Sequence, residues 1–248
     1  MKPKQFFLDL YPFNFHVELD SDIAIKNLKA IYGNVCSDGV ASCSEYSVSV
    51  KRAKGLRRYF KPQAHFYCDE TEPFRPLPLD HAYAFLEWGM NWTVANFEMQ
   101  HVIIHSAVLA KGDKAVLFPA PPGSGKSTLT TYLAFNGWRL LSDEMAIISP
   151  GTNEVHPFVR PICLKNNSIQ LAKEWYPLGA FSTIAQNTHK GDVIHLSPPD
   201  FSWANRKCPA EIVGIVFPNY KKEQPLSIYR LNQTQGFMQF AENAFNFG

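Results

Sequence analysis

Apolar and polar residues alternate in several short segments of the first third of the chain, as in strands that bury one face. A helix is predicted between them over residues 23–32, where the apolar positions recur at helical spacing. Ser21 or Asp22 can cap its start, and Gly33 follows its end, where a left-handed residue is favoured. The alternating segments are residues 13–19, 46–50 and 65–68. This third is therefore predicted to be a small α/β unit.

Three prolines lie between Glu72 and Asp80 and predict a stiff, extended connector. Asp80 is a suitable N-cap for a helix over residues 81–100, whose apolar residues exceed what one buried face needs. That helix is expected to pack on two sides. The predicted organisation is an N-terminal appendage over residues 1–72, a connector over residues 73–80 and a main domain over residues 81–248.

The middle of the chain follows the order strand, loop, helix, strand. A hairpin is predicted around the turn at residues 111–114, because an apolar run lies on either side of it. Its second strand leads directly into a glycine-rich loop, and Gly137 follows the next helix where a left-handed C-cap is expected. The predicted elements are strands over residues 102–109, 115–118, 138–141 and 145–148, and a helix over residues 128–136.

The last third predicts fewer elements. Residues 166–168 can cap a helix over residues 169–176, and residues 212–217 form an apolar run of the length of a buried strand. A final helix is expected over residues 234–245. Together the elements predict an α/β protein.

Composition indicates a globular protein without a general charge bias. Hydrophobic residues make up 46% of the 248 residues and charged residues 19%, which is ordinary for a globular chain. The formal charge is +2, with 24 Lys and Arg against 22 Asp and Glu, so neither nucleic acid nor a membrane is an expected partner. Any anion site must therefore be local.

The cysteines and the N-terminal residues indicate in which cellular compartment the protein is expected. The five cysteines form neither a CxxC pair nor a zinc-finger spacing, so reduced structural thiols are expected. Asp9 interrupts the first apolar run too early for a signal-peptide core, and no stretch has the length of a membrane span. A cytoplasmic protein is predicted, in the compartment that supplies ATP.

The glycine-rich loop matches the essential end of the phosphate-binding motif GxxxxGK[ST]. In that motif, backbone N–H groups at a helix N-terminus surround phosphate oxygens. Ala120 replaces the first glycine, and Pro121 removes an early N–H donor, as does the proline after it. We interpret this as stiffening, because the phosphates rely on amides nearer the lysine. The residues predicted to bind ATP here are Pro122, Gly123, Ser124, Gly125, Lys126, Ser127 and Thr128.

Two acidic residues follow at a distance that suits this motif. Asp143 and Glu144 stand at the end of a predicted strand, seventeen and eighteen residues after Lys126. In a parallel arrangement with that strand beside the loop strand, their carboxylates would reach the phosphate end of the site. There a carboxylate can hold Mg²⁺ or accept a proton from an attacking hydroxyl. The candidate metal ligands are Ser127, Asp143 and Glu144, and the alternative is an ordinary acidic turn.

These segments resemble the catalytic core of the HPr kinase/phosphorylase family, and more closely the group called HPr-kinase-related kinase A. Those proteins carry a histidine before a loop ending in Gly-Lys-Ser, matched by His105, and a basic residue in the strand that leads to two acids, matched by Arg139. The resemblance covers most of the chain beyond Glu72. Further matching segments are residues 73–81, 86–92, 122–128, 160–166, 190–191 and 245–247.

The resemblance implies a P-loop kinase core of the HPr kinase/PEP-carboxykinase type with a mixed sheet. It also implies that the γ-phosphate of ATP is transferred to a serine hydroxyl. By this resemblance Asp143 matches the catalytic acid/base, Ser127 the metal ligand and His105 the histidine beside the phosphates. Lys126, predicted to bridge the outer phosphates, completes the expected catalytic set.

Other positions match the family only partly. Glu144 stands where the family has a second Asp, and residues 158–160 keep only the arginine of its Glu-x-Arg signature. Arg160 and Lys190 are candidate nucleotide-binding residues that could screen phosphate charge or hold the acceptor. Because of the two departures at Glu144 and at residues 158–160, HPr itself is not assigned as the substrate.

Three functions are compatible with these residues. The first is a Mg-ATP kinase that acts on a hydroxyl of a protein, a peptide or a small molecule, with serine as the expected acceptor. The second is a nucleotide-dependent binding or regulatory module without phosphotransfer. The third is a reversible kinase/phosphorylase. Asp143 favours the first, and assembly as a homo-oligomer stays open.

Overall fold

The computed structural model describes residues 2–39, 43–58 and 60–245. Asn246 and Phe247, which belong to one of the resembling segments, lie outside the described residues. The strands are β1 (Lys4–Leu10), β2 (Phe13–Leu19), β3 (Cys36–Asp38), β4 (Tyr46–Arg52), β5 (Gln63–Cys68), β6 (Leu77–Pro78), β7 (Val102–Lys111), β8 (Lys114–Pro119), β9 (Arg139–Ser142), β10 (Met145–Ile148), β11 (Glu154–His156), β12 (Ile162–Lys165), β13 (Ala185–Thr188), β14 (Gly191–Leu196) and β15 (Ala210–Ile215). The helices are α1 (Asp22–Tyr32), α2 (Ala82–Phe97), α3 (Lys126–Phe135), α4 (Asn167–Trp175), α5 (Asp200–Ala204) and α6 (Gln233–Ala241).

The chain forms two compact units, and each is made of two separate stretches of sequence. Unit 1 comprises Met1–Phe97 and Arg160–Pro198, and unit 2 comprises Glu98–Val159 and Pro199–Gly248. Both units combine helices with strands, and each contains a sheet with parallel and antiparallel pairs. This confirms the predicted α/β class with mixed sheets.

Unit 1 contains a six-stranded sheet in the order β3-β1-β2-β4-β5-β6. The pair β2 and β4 is parallel, and the other neighbours are antiparallel. Helices α1 and α2 pack together, and α2 also packs on β4 and β5. A second, three-stranded sheet in the order β12-β14-β13 belongs to the same unit.

Helix α1 begins and ends where its sequence signals predict. Ser21 is the N-cap in extended conformation, and the last turn closes when the N–H of Gly33 donates to the carbonyl of Lys29. Gly33 has a φ of 50°, a conformation that side chains with a Cβ rarely adopt. The predicted strands at residues 13–19, 46–50 and 65–68 are confirmed as parts of β2, β4 and β5.

The connector is part of the sheet of unit 1. Leu77 and Pro78 form β6, which pairs with β5, and a short 3₁₀ turn at Leu79–His81 precedes α2. Asp80 therefore lies inside that turn and does not cap the helix. The units consequently differ from the predicted boundary between residues 72 and 81, because α2 packs on β4 and β5, which both precede the connector.

Gly89 is expected to be intolerant of any side chain, because α2 and β5 approach closely at this position. A Cβ added to Gly89 would lie 2.0 Å from the ring of Phe66, whose side chain is fully buried. Replacing Gly89 with alanine should therefore lower the free energy of unfolding by about 1–3 kcal/mol, the usual cost of overpacking. Urea denaturation followed by circular dichroism measures the change.

The matched control for this substitution is Gly236→Ala. Gly236 also lies in a helix, α6, and a Cβ added there would meet no atom within 4 Å. Alanine at that position should leave stability unchanged or raise it by up to about 1 kcal/mol, because alanine favours helix more than glycine does. Equal effects of the two substitutions would contradict the close packing of α2 on β5.

Unit 2 contains strands that close on themselves. The sheet runs β10-β11-β15-β8-β7-β9, and β10 also pairs with β7. The predicted hairpin is confirmed as the antiparallel pair β7 and β8. One hydrophobic cluster among the described residues of unit 2 contains ten buried side chains. They are Ile104, Val108, Ala110, Ala115, Leu117, Leu141, Ala146, Ile148, Val155 and Ala210.

Strand β7 separates the two strands that were expected to be neighbours. Both β9 and β8 pair with β7 in antiparallel fashion, so they run parallel to each other with β7 between them. The expectation of β9 directly beside the loop strand is therefore wrong. Strand β10 pairs with the first half of β7, and β9 pairs with the second half. The long β7 thus supports the whole segment that carries the acidic pair.

The C-terminal elements are less buried than predicted. Residues 212–217 were expected to be a buried strand, yet β15 leaves Val213 and Ile215 exposed by 55% and 42%. An apolar run does not reveal whether a second layer covers the strand. Helix α6 ends at Ala241, and Phe245 instead donates its N–H to the carbonyl of Ile103. No helix in the described ranges has the length and apolar character needed to cross a membrane.

Candidate functional site

The glycine-rich loop joins β8 to α3 in unit 2, which is the context that the phosphate-binding motif requires. Gly125 is the N-cap of α3 and, with φ of 85° and ψ of 7°, is left-handed. Gly123 has a φ of 87°. These two positions favour glycine, and they turn the loop so that the first free N–H groups of α3 lie at its end. All seven predicted nucleotide-binding residues from Pro122 to Thr128 lie in this loop and first helical turn.

The Lys126 side chain lies within the site. It is only 9% exposed, and its Nζ donates to the backbone carbonyl of Asp143 at 3.0 Å. The same Nζ lies 3.5 Å from Nε2 of His105. The three residues predicted to be catalytic are therefore brought together from β7, α3 and the bend after β9.

Asp143 reaches the start of α3 with its side chain as well. The Ser127 hydroxyl donates to Oδ2 of Asp143 at 3.3 Å, and Asp143 is 3% exposed. The carboxylate and the hydroxyl are two of the predicted metal ligands. Burying a carboxylate is costly without hydrogen bonds or cations nearby, and here Ser127 and Lys126 lie beside it.

His105 is held from both sides of β7. It lies opposite Met145 of β10, and its N–H donates to the carbonyl of Asn243. Its ring meets the ring of Phe245 edge-on, with the centroids 5.6 Å apart. The residues after α6 thus orient the histidine beside Lys126, a contact that the sequence analysis did not predict.

Glu144 adjoins the site through its backbone. Its carbonyl accepts from the N–H of Ser106 at 3.1 Å, and its own N–H donates to the Ser142 hydroxyl at 3.3 Å. These bonds hold the bend against β7 and so fix the position of Asp143. A role of the Glu144 carboxylate at the metal stays a prediction.

Arg139 stabilises a loop at the far end of β9. Its guanidinium donates to four backbone carbonyls, and burial lowers the pKa of Arg139. A guanidinium is a suitable donor for several carbonyls because it carries five N–H groups in a fixed plane. Arg139, the basic residue in the strand that leads to Asp143 and Glu144, therefore makes structural contacts. The four carbonyls belong to Gly112, Asn205, Cys208 and Pro209.

Arg160 and Lys190 belong to unit 1. Arg160 is buried and donates to the carboxylate of Glu87, to its backbone carbonyl at 2.8 Å and to Asn91. Burial alone would lower the pKa of Arg160, but the charge of Glu87 raises it above the ordinary value. Tyr32 donates to both carboxylate oxygens of Glu87. Within its own unit Arg160 is therefore committed to a buried ion pair.

Lys190 is exposed, unlike Arg160. Its Nζ lies 5.1 Å from the centroid of the Trp88 ring, at the distance of a cation–π contact. Such a contact leaves the ammonium accessible to water. A role of either cation at the nucleotide stays a prediction.

The residues at the start of α3 fit a magnesium ion bound together with a nucleotide. Within the described residues no group of three or more His, Cys, Asp or Glu side chains could hold a metal by itself. Mg²⁺ at kinase sites, however, takes one or two carboxylates, with phosphate oxygens and water completing the octahedron. The Ser127 hydroxyl and the Asp143 carboxylate supply the required type of oxygen ligand.

A segment that the sequence analysis did not assign also contacts the loop. The N–H of Tyr220 donates to the carbonyl of Ser124 at 2.9 Å. The Ser124 hydroxyl is buried and has no hydrogen-bond partner among the described residues. The pairing of β15 with β8 causes this contact, and one sequence does not reveal which strands pair.

No family model, curated protein or solved structure matches this chain. The fold defines it as an α/β protein with mixed sheets in two units. Function must therefore be argued from the chemistry of its own residues.

Proposed function

We propose that the protein is an ATP-dependent kinase with a core of the HPr kinase/PEP-carboxykinase type. It transfers the γ-phosphate to a hydroxyl, with serine of a protein or peptide as the expected acceptor. One observation carries this proposal: at the N-terminus of α3, Lys126 and Ser127 both bond to Asp143, through its carbonyl and its carboxylate. A turn that was merely rich in glycine would not need a buried lysine and a buried carboxylate beside it.

Each residue has a defined role in this proposal. The loop amides and the dipole of α3 bind phosphate oxygens, and Lys126 offsets the charge of the outer phosphates. Ser127 and Asp143 would hold Mg²⁺, which when bound neutralises charge on the phosphates. Asp143 also accepts the proton of the attacking hydroxyl, and His105 lies beside Lys126.

Ser127→Ala is expected to weaken ATP binding more in the presence of Mg²⁺ than in its absence. Only the hydroxyl ligand is removed, while the loop amides remain. Isothermal titration with ATP, in Mg²⁺ and in EDTA, measures both affinities. Ser127→Thr is the matched control, because it keeps a hydroxyl and still satisfies the motif. Equal losses in the two buffers would mean that the hydroxyl is not a metal ligand.

Phosphotransfer is tested by comparing the phosphoproteomes of cells that contain the wild-type protein or Asp143→Asn. A kinase should give serine sites that depend on the carboxylate. Binding of ATP without any dependent site would favour the binding module. An acceptor protein phosphorylated at such a serine can then be purified and incubated with the enzyme and inorganic phosphate. Removal of the phosphate from the serine would identify the reversible kinase/phosphorylase.

A further inference from the structure

The loop that follows β15 lies beside the phosphate loop. Strands β8 and β15 are parallel neighbours, so both carboxyl ends emerge at the same edge of the sheet. The first is followed by the phosphate loop, and the second by the segment that contains Tyr220. The second loop is therefore positioned to contact whatever the first one binds.

Tyr220 is fixed to the phosphate loop through its backbone. Its N–H donates to the carbonyl of Ser124, and a Cβ added to Gly125 would lie 2.8 Å from the Cβ of Tyr220. Glycine is thus needed at position 125 for two reasons: the backbone has a left-handed φ, and Tyr220 leaves no room for a Cβ. The backbone of Tyr220 cannot move far without disturbing the loop.

The ring of Tyr220 is exposed although its backbone is anchored. Tyr220 is 70% exposed, and the next residues, Lys221 and Lys222, are exposed too. An anchored aromatic ring with a free face is a suitable platform for a planar, uncharged ligand group. The phosphate loop leaves the ribose and the nucleobase of ATP unbound, and of these only the base is planar and aromatic.

We propose that Tyr220 stacks on the base of the bound nucleotide and makes the site prefer a nucleotide over a bare polyphosphate. This inference rests on the proposed ATP site. It adds a base-binding residue on a segment to which the sequence assigned no role.

The test compares Mg·ATP with Mg·tripolyphosphate, which carries the phosphates without the ribose and the base. Titrations with the wild type, Tyr220→Ala and Tyr220→Phe give the ratio of the two affinities. Tyr220→Ala should lose about 5- to 150-fold in ATP affinity, the range that base–aromatic stacking gives on alanine substitution. Tripolyphosphate affinity should stay within about twofold, and Tyr220→Phe should bind ATP like the wild type, because the ring is kept.

Tyr229→Ala is the matched control, since Tyr229 is 82% exposed in the same C-terminal stretch. It should leave both affinities unchanged. Equal weakening of ATP and tripolyphosphate by Tyr220→Ala, or no weakening of either, would overturn the stacking role while leaving the ATP site intact. A wild-type protein that binds neither ligand would overturn the ATP site itself, and the stacking role with it.

Discussion

Lys126→Ala is expected to lower the affinity for Mg·ATP by about 100-fold or more. A hydrogen bond to a charged group contributes about 1.5–3 kcal/mol, and a lysine that bridges two phosphates makes two of them. Two such bonds at the lower figure amount to about 3 kcal/mol. Each tenfold change in affinity corresponds to about 1.4 kcal/mol, so their loss lowers the affinity by about 100-fold. Isothermal titration with Mg·ATP measures it.

The fold of the variant must be checked, because Lys126 is buried and bonds to the carbonyl of Asp143. Circular dichroism and a thermal melt serve this purpose. Lys111→Ala is the matched control: Lys111 is exposed at the end of β7, and its ammonium lies over the Trp138 ring. Unchanged affinity in a folded Lys126→Ala protein would exclude the phosphate loop as the nucleotide site.

Local signals in the sequence predict part of this fold, whereas β1, β3, α5 and the strands from β11 to β14 were not predicted. The caps of α1 at Ser21 and Gly33 and the turn at Gly112 specify backbone conformations by themselves, and the structure has them. Pairing and layering depend on residues far apart in the chain. The position of β7 between β8 and β9 and the exposed face of β15 were therefore not predicted.

The residues of the candidate site also fall into two groups: those that a local motif predicts and those that distant segments of the chain supply. The loop residues and Asp143 could be predicted, because a fixed motif and a spacing of seventeen residues imply their roles. Tyr220 and Phe245 contact the site from segments that lie 96 and 140 residues after their partners, Ser124 and His105. Arg160 was assigned to the nucleotide, whereas the structure pairs it with the carboxylate of Glu87. Glu87 lies on α2, more than seventy residues earlier in the chain, so the sequence alone did not reveal this ion pair.

Asp143→Asn is expected to reduce phosphotransfer by about 10²–10⁴-fold while ATP binding survives. A hydroxyl is a weak nucleophile at neutral pH, and positioned base catalysis typically contributes a factor of this size. The structure explains why binding should be retained. Lys126 bonds to the backbone carbonyl of Asp143, which asparagine keeps. An amide oxygen can still accept from Ser127, and it still offers Mg²⁺ an oxygen ligand. What asparagine cannot do is take the proton of the acceptor.

Both quantities are measured on one preparation: ATP affinity by titration, and transfer with labelled ATP and an acceptor from the phosphoproteomic comparison. Asp113→Asn is the matched control, because Asp113 is exposed in the turn between β7 and β8. Transfer within a few-fold of the wild type would show that Asp143 is not the base. A parallel loss of ATP affinity would show that asparagine cannot replace the carboxylate in holding Mg²⁺ or the site together, and the loss of transfer would then not identify Asp143 as the base.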